Sequence, residues 1–351
     1  MKAISLFCGA GGMDVGFESA GIDVLWANEF NIDAVNTYKA NHPNTHIEHA
    51  DIRDVKSQLK KYADNQIDLI FGGPPCQGFS VAGKMDPNDE RSTMIWEFFD
   101  VIEIVSPSMF VIENVKALGD LARWKYVREK IIKQANSMGY HCFFRIFNAA
   151  DYGVPQKRER VFFIGVKNGD SQVETMFDDL ISMKRQPRQT LRDTLLKVAK
   201  VGTVENPFSC TAKISLACNP VIRKSPYAGM LFNGMGRPLN FDEQANTLPA
   251  SMGGNKTPIV DDLLLHDPLA ENWVVLYHKK LIEGETPNAQ IEVPSYLRRL
   301  TIKEAAAIQT FPSEYVFCGE KSSVYRQIGN AVPCKLAQAV AETIVKISQI
   351  L

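Results

Sequence analysis

A chain of 351 residues with 45% hydrophobic content can bury one large core or two domains. A formal net charge of -1 excludes a global basic field, so a nucleic-acid partner would have to be met by local patches. The cysteine count of 7 is odd and irregularly spaced with no CxxC pair, and the 6 histidines show no metal-like spacing, which sets aside a disulfide framework and a zinc site and fits a reduced cytosol.

The start, MKAISLF, is too brief and too soon glycine-rich for a signal peptide, and no apolar run approaches a membrane span. Residues 3–7 (AISLF) read as a short buried strand, followed by CGAGGMDVGF and a helical segment to about Gly21. Strand, glycine turn and helix start make a nucleotide-type cradle. Glycine allows close approach, and a helix N-terminus carries partial positive charge. The glycines are Gly9, Gly11, Gly12 and Gly16, which is not the dinucleotide GxGxxG, and a tight packing turn is the competing reading. A second apolar run, Val24 to Ala27, ends in Asn28 and Glu29. An acid roughly 20 residues after a glycine turn suits a pair of ribose hydroxyls. HADIRD then places Asp51 where a carboxylate could accept from an adenine amino group. Each acid alone reads as a solvated loop residue; in this order they point to an adenosine-containing cofactor.

The apolar run Ile67 to Phe71 leads into GGPPCQGFS, Gly72 to Ser80. Two prolines fix φ and remove N–H donors, so Cys76 is held on a stiff turn at the carboxyl end of a strand, where an open α/β sheet places its chemistry. A buried structural cysteine is the alternative. The polar segment VAGKMDPNDERSTMIWEF predicts a mobile loop running into a helix near Met94. GFSVAGKM, Gly78 to Met85, resembles a P-loop, but Met85 stands where Ser or Thr must ligate magnesium, so ATP binding is rejected there.

SMFVIENV (108–115) reads as a buried strand ending in Glu113 and Asn114. A carboxylate emerging from Phe110, Val111 and Ile112 is partly desolvated and could hold or share a proton near neutral pH; a salt-bridged or solvated Glu is the other reading. A helix from about Trp124 to Met138, closed by Gly139, precedes the strand HCFFRIF. DYGVPQKRERVFFIG follows: a turn, the cations Lys157, Arg158 and Arg160, and a strand from Val161 to Val166. Arginine's fork binds two acceptors at once and so suits phosphate or base edges, although a solvated turn would look similar.

From about Lys167 to Leu297 the strand and helix alternation fades. KRQPRQTLR (184–192) carries four cations and no acid, and residues 225–258 form a glycine-rich tract with Tyr227, Phe232, Arg237 and Asn255 interleaved. Such loops can read groove edges and phosphates, or simply surface an irregular domain. RRLTIKEAAAIQTFP then predicts a helix with a capping box, Thr301 and Glu304. A Gly-Asn turn in QIGNAVPCKLAQAV is expected to open the terminal helix, and this regular end suggests that the C-terminus completes the first domain.

Taken in order, LFCGAGGMDVGF, Glu29, Asp51, GGPPCQGFS, FVIENV, DYGVPQKRERVFFIG, RRLTIKEAAAIQTFP and YRQIGNAVP resemble the DNA (cytosine-5)-methyltransferase family. The likeness covers nearly all of residues 1–166 and 298–340; the region between is where that family keeps its variable target-recognition domain. It implies an α/β protein with a Rossmann-like, mostly parallel sheet in 1–166 plus 318–351. A smaller, irregular target-recognition domain, 167–317, would lie across a cleft. It implies transfer of a methyl group from S-adenosylmethionine to C5 of a flipped-out cytosine in a short duplex DNA sequence, through a Cys76–C6 adduct. Glu113 would act at N3 and Arg160, the second arginine of QxRxR, at O2. Arg158 and Gln156 would support the loop or backbone, and Gln77 and Ser80 accompany the cysteine, on a loop that closes over the base. The cofactor residues carried over are Phe7, Gly9, Gly11 and Gly12, then Glu29 and Phe30 at the ribose and Asp51 and Ile52 at the adenine. Pro75, Met94, Asn330, Ala331 and Val332 complete that pocket, and no metal is implied. Met94 and Ser92 stand where the family often has Leu and Gly. DNA contacts are expected from Gln156, Arg237, Thr247, Leu248, Asn255 and Lys256.

Partners expected by analogy are duplex DNA and a cognate restriction endonuclease acting on the same site, with the chain monomeric in the bacterial cytosol. Three rivals stay open: a tRNA cytosine-5 methyltransferase, a DNA-binding module with vestigial catalysis, and a nicotinamide dehydrogenase. The first is disfavoured by the lack of a Cys-Phe-Thr motif in the variable region (SCT at 209–211 is the nearest). The intact Cys76, Glu113 and Arg160 speak against the second, and the glycine spacing with the PPCQ turn against the third.

Overall fold

The computed structural model describes residues 1–63, 66–75, 94–288 and 291–351. Cys76, Gln77 and Ser80, and the loop expected between Gln77 and Met94, lie outside the described residues apart from Met94 itself.

In chain order the first elements are β1 (Lys2–Leu6), α1 (Gly12–Ser19), β2 (Asp23–Glu29), α2 (Ile32–Asn41), β3 (His46–His49), α3 (Ile52–Val55) and β4 (Leu69–Gly72). Next come α4 (Met94–Val105), β5 (Met109–Val115), α5 (Lys116–Asp120), α6 (Lys125–Ser137), β6 (Tyr140–Asn148), β7 (Gln156–Lys157) and β8 (Glu159–Lys167). Then follow α7 (Ser171–Ser182), α8 (Leu191–Leu195), β9 (Leu216–Val221), β10 (Met230–Phe232), β11 (Ala245–Asn246) and β12 (Ile259–Asp261). The chain closes with α9 (Asp262–His266), α10 (Trp273–Ile282), β13 (Leu297–Arg299), α11 (Ile302–Ile308), α12 (Lys321–Asn330) and α13 (Cys334–Ile350).

Two compact units result. The first is Met1–Gly153 with Arg158–Pro187 and Ala331–Leu351; the second is Val154–Lys157 with Arg188–Asn330. These limits differ from the expected 166/167 and 317/318, and packing explains both shifts. Helix α7 lies on α13, and just beyond its end the Lys184–Glu342 ion pair of 2.6 Å ties the chain to α13, which keeps residues up to Pro187 with the first unit. Helix α12 stays with the second unit because Tyr325 Oη donates to Leu300 O at 2.6 Å and Gln309 Nε2 donates to Ile328 O at 2.6 Å.

The first unit is built on a 7-stranded sheet in the order β3-β2-β1-β4-β5-β8-β6. Pairs from β3 to β5 are parallel, and β8 runs antiparallel to both β5 and β6. The mostly parallel, Rossmann-like sheet expected from the sequence is therefore present. LIFG of β4 is buried throughout, and β5 nearly so, as strands covered on both faces must be. Ile4, Leu6, Ile70, Phe98, Phe110, Ile112 and Phe163 belong to one apolar cluster between the sheet and its helices. Order reverses between β1 and β4, so the turns leaving Leu6 and Gly72, which are register partners, emerge side by side at the switch point. Helix α13 closes the unit against α1: a Cβ at Gly16 would sit 2.5 Å from Cys334 O, a separation only glycine permits.

Among the described residues the second unit holds short two-stranded ladders, β9 with β10, β7 with β11 and β12 with β13; the first and last of these contribute Leu216, Phe232, Ile259 and Leu297 to one apolar cluster with Tyr277. The capping box at Thr301 and Glu304 is formed as expected. The expected Gly-Asn turn is not: Gln327 to Asn330 are the last turn of α12, and the break falls at Ala331 to Pro333, where proline has no N–H to continue a helix. Among the described residues no helix is long and apolar enough to cross a membrane.

Candidate active site

The turn after β1 is shaped by left-handed backbone at Phe7 (φ 54), Gly9 (φ 56) and Gly11 (φ 78). Phe7 is the strained member, since a side chain rarely adopts that region. Cys8 N donates to Asn28 O at 3.0 Å, and Gly9 N donates to Glu29 Oε2 at 2.9 Å, so the turn is pinned to the end of β2. Glu29 Oε1 accepts from Asn31 N at 2.7 Å. Burial pushes the Glu29 carboxyl above its ordinary range, against the pull of those N–H groups. A carboxylate has about four acceptor positions, so capacity remains for hydroxyl donors. A Cβ built on Gly9 meets nothing within 4 Å among the described residues, so they leave space over the turn, and Phe30, next in the chain after Glu29, is 71% exposed.

Asp51 is engaged at the start of its own helix. Its carboxylate caps α3 by accepting from Arg53 N at 2.9 Å, and grips the Arg53 guanidinium through Nε at 2.9 Å and Nη2 at 2.7 Å. The bond to Arg53 holds its carboxyl below the usual range. The acceptor expected for an adenine amino group is thus already engaged, while Ile52 beside it is buried. Asn28, which the sequence reading left without a role, donates through Nδ2 to Ala50 O at 2.8 Å and so holds the approach to Asp51. Its signal was a polar residue at the end of an apolar strand.

At the ends of β4 and β5, Glu113 is buried beside the turn that starts at Gly73; a Cβ at Gly73 would lie 3.0 Å from Glu113 Oε2. Arg160 Nε donates to Glu113 Oε1 at 2.9 Å, and its Nη1 donates to Glu159 O at 2.7 Å. Burial raises the Glu113 carboxyl, and the charges of Arg160 and Arg158 pull it back. Arg158 itself is buried. Asn114 Nδ2 donates to Pro74 O at 3.2 Å, anchoring the proline turn to β5 just ahead of Pro75. Met94 starts α4 and is buried; Val332 is buried, and Asn330 is exposed at the end of α12.

Of the residues expected at DNA, Arg237, Thr247, Asn255 and Lys256 are exposed in the second unit. Two are not. Gln156 is 0% exposed and Leu248 is 1% exposed, so neither side chain reaches solvent. Their amide and backbone groups bond to each other instead, Leu248 N donating to Gln156 Oε1 at 2.9 Å. Asp14, not singled out in the sequence, is fully buried beneath the glycine turn, its Oδ1 accepting from Tyr38 Oη at 2.9 Å. Burial lifts its carboxyl from 3.8 to about 6, opposed by His42, Ser5 and Tyr38. Among the described residues, no group of three or more His, Cys, Asp or Glu could hold a metal ion.

A model of the C-5 cytosine-specific DNA methylase family matches residues 1–346. Type II methyltransferase M.NgoPII of Neisseria gonorrhoeae is 32% identical over 349 residues, covering 99% of this chain and 96% of that protein. Type II methyltransferase M1.HphI of Haemophilus parahaemolyticus is 32% identical over 350 residues, covering 98% and 87%. Among solved structures, a DNMT2 variant of Spodoptera frugiperda superposes with a TM-score of 0.66 at 20% identity, covering 99% of this chain and 98% of that one. The Entamoeba histolytica methyltransferase EhMeth does so with a TM-score of 0.66 at 17% identity over the same shares, which speaks to the fold alone.

Proposed function

The chain belongs to the C-5 cytosine-specific DNA methylase family, and on that premise we propose that it methylates C5 of a cytosine flipped out of a short duplex DNA site, through an adduct of Cys76 at C6. A base inside a duplex cannot be reached, which is why it must leave the stack. The observation that carries the reading is the buried Glu113–Arg160 pair beside the turn that leads to Cys76.

Cytosine C5 is too poor a nucleophile to take a methyl group unaided. Addition of the Cys76 thiolate at C6 converts the ring to an enamine with electron density at C5. That addition needs an electron-poor ring. Glu113, whose burial favours the protonated form, can donate at N3. Arg160 can donate to O2 while holding Glu113 in place, and Arg158 supports both from within the unit. Loss of the C5 proton then expels the thiolate and restores aromaticity. S-adenosylmethionine, when bound, supplies an electrophilic methyl on a sulfonium. The residues present fit it: the space that the described residues leave over Gly9, the spare acceptor capacity of Glu29 and the exposed ring of Phe30 suit a ribose and an aromatic base. Phe7, Gly11, Gly12, Ile52, Pro75, Met94, Asn330, Ala331 and Val332 would line the rest. Asp51 would join only by sharing its carboxylate with Arg53.

The second unit would carry target recognition through exposed Arg237, Thr247, Asn255 and Lys256. The relatives are Type II methyltransferases, which favours DNA over tRNA and a role in restriction-modification, with a cognate endonuclease at the same site. The test is transfer of labelled methyl from S-adenosylmethionine to duplex DNA and, separately, to tRNA, with Cys76→Ser as control. Label in cytosine C5 of DNA, lost in the variant, is expected. Label only in tRNA, or label in DNA that survives Cys76→Ser, overturns the reading.

A further inference from the structure

Gln156 and Gln309 are both 0% exposed, and they bond to each other, Gln156 Nε2 donating to Gln309 Oε1 at 2.9 Å. The pair does not end there. Leu248 N donates to Gln156 Oε1 at 2.9 Å, and Gln309 Nε2 donates to Ile328 O at 2.6 Å. A backbone donor at one end and a backbone acceptor at the other allow only one sense for the two amides: turning either one over would set donor against donor or acceptor against acceptor. All four groups belong to the second unit.

Around this relay the loop is fastened along its length. Ala245 N donates to Pro155 O at 2.9 Å, and β11 pairs with β7 through Ala245 with Gln156 and Asn246 with Lys157. Thr247 Oγ1 donates to Lys157 O at 3.0 Å, and Lys157 bonds Glu243 at 2.6 Å. On the far side the loop rests on α12, where a Cβ at Gly329 would lie 2.6 Å from Ala250 Cα and 2.7 Å from Pro249 O. The exposed Thr247 therefore projects from a segment whose next residue is fixed by buried amides.

We propose that Gln156 and Gln309 are positioning residues which hold the Thr247–Pro249 loop against the last turn of α12 and thereby set how that loop meets duplex DNA. The DNA part rests on the function proposed above. Neither glutamine touches the duplex; a buried amide acts on it only through the backbone it fixes. Removing the acceptor of Leu248 N takes away a buried hydrogen bond, and the loop regains freedom that DNA binding must then take away.

The experiment uses the full chain with Gln156→Leu, Gln309→Leu, the double variant and Gln156→Glu. Amide hydrogen exchange at Leu248 is followed in the free protein, and KM for DNA and kcat are measured with saturating S-adenosylmethionine. Gln156→Leu is expected to speed exchange at Leu248 by about tenfold or more. It should raise KM for DNA by a similar factor while kcat changes less, the mark of lost binding rather than lost chemistry. The double variant should be no worse than Gln156→Leu, because the amides act as one unit. Gln156→Glu keeps the acceptor for Leu248 N. As a neutral acid it can still donate to Gln309 Oε1, so it should match wild type at low pH; once the buried carboxyl ionises that donor is lost while Leu248 N keeps its acceptor, so the loop should loosen less than in Gln156→Leu. Unchanged Leu248 exchange, or a KM for DNA within about twofold of wild type, overturns the proposal. If Gln156→Leu does not fold, Gln309→Leu and Gln156→Glu carry the same readouts. A wild-type chain that methylates no DNA sinks the proposed function, while the exchange measurement still decides the relay.

Discussion

Arg160 Nε lies 2.9 Å from Glu113 Oε1, in a register where Arg160 itself faces Val115 on the neighbouring strand. The guanidinium reaches back two positions along β5 to the acid, so one residue of β8 both neutralises Glu113 and sits at the same strand end. Glu113→Gln keeps the shape and removes the transferable proton. We expect methyl transfer to fall by about 10²–10⁴ with cofactor binding retained. Arg160→Lys should not restore activity, because an ammonium is a point charge without the fork. Single-turnover methylation of duplex DNA measures both, and wild-type rates in Glu113→Gln would remove the acid from the mechanism.

The pH profile follows from the same pair. Burial raises the Glu113 carboxyl, so its acid form is present below that raised value and lost as pH climbs through it. The Cys76 thiolate fraction moves the other way, increasing with pH. We expect a bell-shaped kcat/KM. Arg160→Ala removes the charge that pulls Glu113 down, so the residual activity should keep its alkaline limb but at higher pH. An alkaline limb that stays put or moves to lower pH contradicts the assignment.

Asp14 makes a stability statement. Its carboxyl is raised from 3.8 to about 6 by burial, so the folded chain binds more protons than the unfolded chain between those values. Stability contributed by this group is therefore greatest at low pH and is lost as pH rises through that window, by on the order of 3 kcal/mol. Asp14→Asn keeps an acceptor for Tyr38 Oη and cannot ionise. Urea midpoints at pH 4, 5 and 6 should show a shallower decline in the variant than in wild type; parallel declines would rule Asp14 out as the source.

Two glycines near the cofactor turn should separate cleanly. Gly16→Ala drives a Cβ to 2.5 Å from Cys334 O and Gln338 N, backbone atoms that cannot swing away, and is expected to destabilise the fold by about 1–3 kcal/mol. Gly9→Ala meets no atom of the described residues within 4 Å, so its methyl group should intrude on the proposed cofactor volume, with backbone strain of about 1–2 kcal/mol at φ 56. Calorimetry with S-adenosylhomocysteine should show weakened binding for Gly9→Ala. Equal affinity in Gly9→Ala and wild type would place the cofactor elsewhere.

Much of the first unit was legible because its signals are local. AISLF, IDLIF and FVIENV are apolar runs bounded by turn residues, and they became β1, β4 and β5. Thr301 and Glu304 stand at capping-box spacing and made the box. What misled was equally local. QIGNAVP reads as a turn at Gly-Asn, yet Gln309 and Ala250 hold the last turn of α12 from outside the segment, and the chain breaks only at the proline. Asp51 is a different case: it keeps the spacing of a cofactor acid while its carboxylate also binds Arg53 two residues on.

The sequence by itself determined the parallel sheet, the glycine turn followed by an acid, and the order of motifs that marks the family, since apolar periodicity, glycine and proline act over a few residues. Tertiary structure alone decided that Glu113 shares its charge with Arg160, that Asp14 is buried against Tyr38, and that Gln156 works inside the second unit rather than at its surface. Those facts depend on which residues distant in the chain exclude water together. Burial and pairing, which set the protonation of an acid and the use of an amide, exist only once the chain has folded.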